Sequence, residues 1–471
     1  MRDLKAVWLL VAATFVVFLN ETTMGVALRS IMDDLDIEAR EGQWVTTAFM
    51  LTLAVVIPLT SWLIERLTTR QVFGTAMGLF CLGTVVAATA PGLGLLVFGR
   101  IVQASGTAMM LPLCMTTLMT VVPATQRGAM MGNVSLVISA APAIGPTLSG
   151  VILGVVGWRG IFWAMLPVAL VMATVGLHLL TNVTEAGSAH LDLLSVPLAA
   201  VGFGGLVYGL SQVGGEAAGT AGVFGGVGLV ALVAFVVRQL VLSRHDKAML
   251  DLRPFRRPQF TVALLIMVSA MASLFGVVIV LPLYLLGSLH LSPVDVGLLL
   301  LPGSLLMGLL GRPVGGLYDR FGPRPLVLPG VVVTSAAVWS LTLIGAQTSR
   351  WQVMASHVVL SLGLALVFTP LFTSSLSSVP RRLYSHASAI LGSIQQVAGA
   401  AGTALAVTVM SGVETSARAS GLSSEAAVAA GVRAAFVGAA VLSLLPVVAA
   451  LFVVRPQPEH ASGAPLDVGH G

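Results

Sequence analysis

Apolar residues run along this chain in long blocks, each broken by a short polar or charged segment. A helix that crosses bilayer hydrocarbon needs about 20 mostly apolar residues, and at that length the pattern predicts fourteen spans. Six fall at residues 7–28, 44–64, 72–90, 93–121, 129–154 and 160–180; two follow at 194–213 and 222–242, the first of them rich in glycine. The last six fall at 260–286, 296–317, 326–346, 352–377, 387–411 and 431–454. The expected fold class is therefore an all-α polytopic membrane protein. The first block is too long for a signal-peptide core and lacks a small-residue cleavage pattern, so it reads as a retained span.

Composition excludes the soluble alternatives. Of 471 residues, 56% are hydrophobic and 9% charged, and mean hydropathy is +0.98. The net charge of +5 could point to nucleic acid, but no basic stripe interleaves with aromatics, and the cations instead sort by side. With the N-terminus inside, the inner segments hold 17 of the 24 Lys and Arg residues, the outer ones hold 6, and Arg100 lies within a span. Cytoplasmic excess of this kind sets orientation, so both termini are expected in the cytoplasm.

The chain divides into an N-terminal six-helix bundle (1–185), two further spans with a basic cytoplasmic linker (186–258), a C-terminal six-helix bundle (259–455) and a disordered tail (456–471). The linker carries Arg238, Arg244, Lys247, Arg253, Arg256 and Arg257, which favours a place beside anionic lipid.

Two charges lie where the pattern should be apolar. Glu21 stands seven residues before the outer end of the first span and Arg100 seven residues after the outer start of the fourth, so at 1.5 Å per residue both sit about 10 Å deep. A carboxylate and a guanidinium at matched depth are expected to pair directly or through water, since either alone in hydrocarbon is costly. A static ion pair is one reading. The other is a proton-loading site, because burial and a nearby cation pull an acid in opposite directions. Arg100, Gln103, Thr107 and Cys114 share one helical stripe, and Thr14, Phe18, Glu21 and Gly25 form another.

The fifth span carries Gly128, Gly132, Ser135, Ser139, Pro142, Gly145, Pro146 and Ser149 at steps of three and four, a face built for close helix approach and bending. Gln395 and Gln396 lie near mid-membrane, able to bond a substrate or a neighbouring helix. His178 and His357 fall near helix ends and read as interfacial residues. Cys81 and Cys114 read as packing residues without metal spacing. No metal-binding, nucleotide-binding or nucleophile-elbow motif is present, so no enzyme activity and no cofactor is expected.

Two connections, SWLIERLTTRQ and GGLYDRFGPRP, read alike. The second resembles the loop signature G-x-L-x-D-R-x-G-R-R of the major facilitator superfamily through Gly315, Leu317, Asp319, Arg320, Gly322 and Arg324. The first departs from it, with Ser61, Glu65 and Thr68 at the glycine, aspartate and second glycine positions, and keeps Arg66 and Arg70. LNETTMGVAL resembles the first-span motif of the fourteen-span drug:proton antiporters, with Asn20 at the usual aspartate and the acid displaced to Glu21. LVFGRIVQASG, PAIGPTLSG and WRGIFWAMLP resemble that family's fourth-, fifth- and sixth-span motifs, although Met165 replaces an asparagine.

The resemblance implies a major facilitator fold of two six-helix bundles plus two central helices, acting by alternating access. It implies proton-coupled export of a hydrophobic drug or antibiotic, cationic ones among them, with the proton gradient as energy source, from a bacterial inner membrane. Glu21 and Arg100 would couple protons, and Asn20, Gln103, Thr107, Gln395 and Gln396 would line the cavity. Pro142, Gly145, Pro146 and Gly150 would form the antiporter motif, while Glu65, Arg66, Arg70, Gly315, Asp319, Arg320 and Arg324 would latch the cytoplasmic gate. A monomer is expected, with membrane lipid, protons and substrate as partners and no nucleic acid. An importer or symporter of the same fold remains an alternative, and an intramembrane enzyme a more remote one.

Overall fold

The computed structural model describes residues 2–183, 187, 191–213, 218–345 and 348–454. The tail expected to be disordered lies outside these. All regular structure among the described residues is helical. The helices are α1 (Arg2–Leu35), α2 (Ala39–Gly42), α3 (Trp44–Arg66), α4 (Thr69–Ala88), α5 (Leu93–Val121), α6 (Arg127–Leu179), α7 (Ser195–Ser211) and α8 (Ala218–Leu242). They continue with α9 (Pro258–Gly287), α10 (Pro293–Phe321), α11 (Arg324–Leu341), α12 (Arg350–Ser377), α13 (Tyr384–Ala419), α14 (Ser424–Leu442) and α15 (Leu444–Ala450).

Local chemistry sets several starts. Thr68 accepts from the Gln71 N–H while the Gln71 side chain accepts from the Thr68 N–H, a reciprocal cap on α4. Ser292, Ser349 and Ser423 cap α10, α12 and α14 with single hydroxyls.

Twelve helices among the described residues are long and apolar enough to cross a membrane. The difference from fourteen arises at two places. The α7 helix has 17 residues, short of the usual span. The expected fifth and sixth spans are not separated by a loop: α6 is one run of 53 residues, interrupted at Gly157 with φ 73°, a left-handed conformation that glycine adopts without strain.

Contacts show that α6 doubles back at this point. Its first residues touch Asp319 of α10, and its last turns pack Gly176 against Phe73 and lie beside Gly74 of α4. Asn182, just beyond it, accepts from the Arg70 N–H. Both ends of α6 thus reach the face that also carries Arg66, Arg70 and the 238–257 connector, here called the basic face.

Helices α1 and α3 to α6 pack together, as do α9 to α15, and the two groups meet most extensively where α6 runs along α10. The α7–α8 hairpin is zipped by glycine: a Cβ on Gly209 would sit 2.6 Å from the Gly225 nitrogen, and one on Gly228 2.5 Å from the Leu206 nitrogen. The hairpin lies over the seam between the two groups, touching α3 and α13. Trp44 of α3 stacks on Tyr208 of α7 with ring centroids 5.8 Å apart.

Candidate functional site

Arg100 is 1% exposed, so its guanidinium must find partners inside the protein. It donates through Nη1 to Gln103 Oε1 at 2.5 Å and to Asn20 Oδ1 at 3.3 Å, and through Nε to the Val45 carbonyl at 3.4 Å. Its carbon centre stands 4.0 Å above the Phe49 ring, a favourable cation–π placement. Gln103 completes the chain by donating to Thr84 at 2.7 Å. One charge is therefore held by α1, α3, α4 and α5 together.

Of the two expected arrangements of Glu21 and Arg100, pairing directly or through water, the direct pair is not formed. Among the described residues Glu21 has no ion pair and no hydrogen bond, although Arg100 is near enough to act on it electrostatically. The reason is angular. Successive helix residues are about 100° apart, and Asn20 occupies the face turned to Arg100, while Thr22 bonds the Ala141 carbonyl of α6 at 3.1 Å. Glu21 lies between these faces and is half-buried. The Asn20 amide nitrogen is left buried without a partner.

Three expected cavity residues are enclosed. Asn20 and Gln103 are 0% exposed and Thr107 2%; Asn20 Oδ1 and Gln103 Oε1 accept from Arg100, Gln103 Nε2 donates to Thr84, and the Thr107 hydroxyl donates to the Gln103 carbonyl. Only Gln395 and Gln396 are half-buried, and Gln395 Nε2 lacks a partner.

The small-residue face of α6 serves two helices. Gly145 receives Thr22 of α1, whose hydroxyl would be 2.1 Å from a Cβ there, and Ser149 donates to the Thr23 carbonyl at 2.8 Å. Nearer the basic face, Gly132 meets Gly311 and Gly128 meets Gly315 of α10, with added Cβ atoms 2.1 and 2.3 Å from the opposing carbonyls. Gly150 faces open space. Pro142 and Pro146 lie within the helix.

At the basic face the two loop signatures behave differently. Asp319 follows Gly315 and accepts from the backbone N–H groups of Gly128 and Ala129 at 2.8 and 2.9 Å, which caps the start of α6 and meets its positive dipole end. Glu65 instead faces α13, accepting from Ser385 at 3.0 Å and lying 2.8 Å from His386 Nε2. His386 Nδ1 accepts the Asp251 N–H of the connector at 3.1 Å. Arg66 reaches the Gly187 carbonyl at 3.4 Å, and the Arg70 backbone meets Asn182. Arg320 and Arg324 are exposed and take no part in these bonds.

Sequence reasoning missed Val45, Phe49, Ser385 and His386. The first contributes only a carbonyl and the second an unremarkable aromatic. Ser385 and His386 lie on a helix whose sequence gives no sign that they face Glu65 across the two groups.

All hydrogen bonds between the two groups of helices, among the described residues, lie toward the basic face. Thr116 bonds Ser388 at 3.4 Å, Thr369 bonds Ser135 at 2.8 Å, Arg127 bonds Tyr384 at 3.3 Å and Arg381 bonds the Thr120 carbonyl at 3.0 Å. The protein is closed there, and Glu21 lies toward the opposite face.

A family model described as Major Facilitator Superfamily matches residues 10–403. The chain is 37% identical over 94% of its length, and 94% of the relative's, to the lincomycin resistance protein LmrB of Listeria monocytogenes serovar 1/2a. It is 36% identical to LmrB of Bacillus subtilis over 96% of both, and 28% identical over 85% of its length, and 75% of the relative's, to a multidrug resistance protein B homolog of Mycobacterium tuberculosis. Among solved structures it resembles the proton:xylose symporter XylE at 14% identity, TM-score 0.66, covering 96% of each chain. The human organic anion transporter MFSD10 gives TM-score 0.66 at 15% identity over 95% of this chain and 99% of that one. With the fold and the family match in agreement, the chain belongs to the major facilitator superfamily and is a multi-pass membrane transporter, not an enzyme.

Proposed function

We propose that this transporter is a fourteen-span, proton-coupled exporter of hydrophobic small molecules, drugs or antibiotics among them, working as a monomer in a bacterial inner membrane with both termini in the cytoplasm. Supporting the span count, α6 returns to its starting face and α7 pairs with α8 as a hairpin. The basic face is then cytoplasmic, by the distribution of Lys and Arg. Supporting drug export, the relatives at 36 and 37% identity over nearly their whole length are named for lincomycin resistance.

The observation that carries proton coupling is Glu21 beside, but not bonded to, the enclosed Arg100. A half-buried carboxylate with no hydrogen bond, within a membrane span, is costly when ionised, and a neighbouring cation offsets part of that cost. Small changes in water access therefore change its proton occupancy. In this cycle Glu21 takes up a proton when the outer side is open and releases it to the cytoplasm when the basic face opens. Arg100, clamped by Asn20, Gln103 and Phe49, supplies a fixed positive field rather than a moving partner. Gln395 and Gln396 meet the substrate; Asp319 and Glu65 close the cytoplasmic gate.

The test is pH-gradient-driven movement of ethidium and of lincomycin in inverted vesicles, wild type against Glu21→Gln at matched expression. Wild type should accumulate at least one of them, and the variant should lose accumulation while still exchanging substrate down its own gradient. A variant that keeps gradient-driven accumulation removes Glu21 from coupling.

A further inference from the structure

Helices α5 and α12 hold matching places in the two halves. Each follows a helix, α4 or α11, that is entered through one of the two related loops. In α5 the eighth residue is Arg100; in α12 it is His357. Six residues further on, both carry a glycine on which the preceding helix rests. A Cβ on Gly106 would be 2.2 Å from the Ala76 carbonyl of α4, and one on Gly363 would be 2.6 Å from the Thr334 nitrogen of α11. The position that is cationic in one half is thus an imidazole in the other.

His357 is 6% exposed, and neither ring nitrogen has a hydrogen-bond partner. The ring lies in a notch made by Gly303 of α10, where a Cβ would come 2.6 Å from Cδ2 and 2.9 Å from Nε2. The Leu300 carbonyl is the one backbone acceptor that approaches the ring, and it already accepts the Ser304 hydroxyl at 3.3 Å. This is no interfacial residue, contrary to its sequence position near a helix end.

Among the described residues no counter-charge stands beside it. On α10, Asp295 precedes Gly303 by eight residues and Arg312 follows by nine, each about 12 Å or more along the axis; Asp319 and Arg320 lie further off. Helix α9 has no charged residue, and α11 has only Arg324 at its start. On α6, Arg127 sits at the basic end, with Arg159 and His178 beyond the Gly157 break. On α13, His386 is at the basic end and Glu414 is bonded to Arg418 at 2.7 Å. On α12 itself Arg350 is exposed, two turns away.

We propose that His357 is a second proton-binding site of the transport cycle, and that its charged form is excluded from the arrangement with the basic face closed. An imidazolium in this notch would have the shared Leu300 carbonyl as its one acceptor and no anion, a far greater cost than the unpaired neutral ring. Protonation therefore requires the ring to leave Gly303 and reach water or an anionic group. Because free histidine titrates near pH 6.5, mild acid biases the protein toward whichever arrangement lets the ring out. This rests on the alternating carrier described above and adds a C-terminal protonation step to the one at Glu21.

The test uses the full chain in lipid nanodiscs, without substrate, carrying spin labels at Thr125 and Arg382, exposed positions on opposite halves of the basic face. Distance distributions are measured between pH 8 and pH 5.5 for wild type, His357→Gln and Glu21→Gln. Wild type should gain a longer-distance population at low pH, His357→Gln should lose at least half of that gain, and Glu21→Gln should retain that part. An identical response in wild type and His357→Gln, or none in wild type, overturns the proposal. If His357→Gln does not fold, histidine-labelled NMR of wild type decides: a ring that stays neutral to pH 5.5 in every populated state also overturns it. Failure of ethidium or lincomycin transport would leave this measurement untouched, so the two proposals fail separately.

Discussion

The guanidinium of Arg100 carries five N–H donors in a planar fork, and its site offers two side-chain oxygens, a carbonyl and an aromatic face. A lysine has the charge without the fork. Arg100→Lys should therefore leave acceptors unmet and the Phe49 face uncovered, lowering stability by about 1–3 kcal/mol. Thermal unfolding in detergent checks this; an unchanged midpoint would show that charge alone suffices. The orphaned Asn20 amide gives the complementary expectation. Asn20→Asp replaces a donor that has no partner by an acceptor facing a cation, so it should fold at least as well as wild type, whereas Asn20→Leu, which leaves Arg100 short of an acceptor, should lose stability. At this scale the sequence disclosed which charges were out of place, because a charge in an apolar block is visible without coordinates. It did not disclose their partners. Whether Glu21 meets Arg100 depends on about 100° of helix rotation and on a carbonyl from α3, and neither leaves a residue-type signal.

Helix α6 shows why element boundaries are less legible than element existence. The small-residue stripe was readable, and the structure uses it at both ends. That it serves α1 at Gly145 and α10 at Gly132 is set by where the chain lies in three dimensions. The gap expected between 154 and 160 falls at the Gly157 interruption, but the chain turns there without an intervening loop, so the two spans join in one helical run. A branched side chain at Gly132 would press on the Gly311 carbonyl, so Gly132→Val should push α6 and α10 apart and increase labelling of a cysteine placed at Ser135, whose hydroxyl accepts from Thr369 in the closed gate. The α7–α8 hairpin offers a pH test outside the membrane spans. Asp192 accepts two hydrogen bonds from Arg238, at 2.6 and 2.7 Å, and further ones from Ser195. The Arg238 bonds, chiefly, hold its carboxyl down from 3.8 to about 2. A carboxyl depressed on folding stabilises above its unfolded value and loses that contribution as pH falls toward the folded one. The wild type should thus lose stability between about pH 4 and pH 2, and Asp192→Asn should show less of that loss in unfolding scans across the same range.

Across the whole molecule, the contacts that join the halves form a ring at the basic face. The ring includes Glu65 with Ser385 and His386, Asp319 on the start of α6, Thr116 with Ser388, and Thr369 with Ser135. The charge pattern placed the basic residues here, yet most of the closure is made by hydroxyls, glycines and helix termini, which composition does not distinguish from packing. Through the Asp251 N–H on His386 and the Ser61 hydroxyl on the Met249 carbonyl at 2.9 Å, the connector after α8 is tied to the same ring. The two helices between the halves therefore cannot be indifferent to the opening of this face. If the cycle requires this ring to break, covalent closure must arrest it. Thr116 and Ser388 approach within 3.4 Å at their oxygens, close enough for a disulfide with modest adjustment. In a background with Cys81 and Cys114 replaced by serine, Thr116→Cys with Ser388→Cys should crosslink under mild oxidation and stop transport in vesicles. Reductant should restore it, and either single cysteine should transport throughout. A crosslinked protein that still accumulates substrate would mean that the halves do not part at this point, and the alternating opening of the basic face would have to be abandoned.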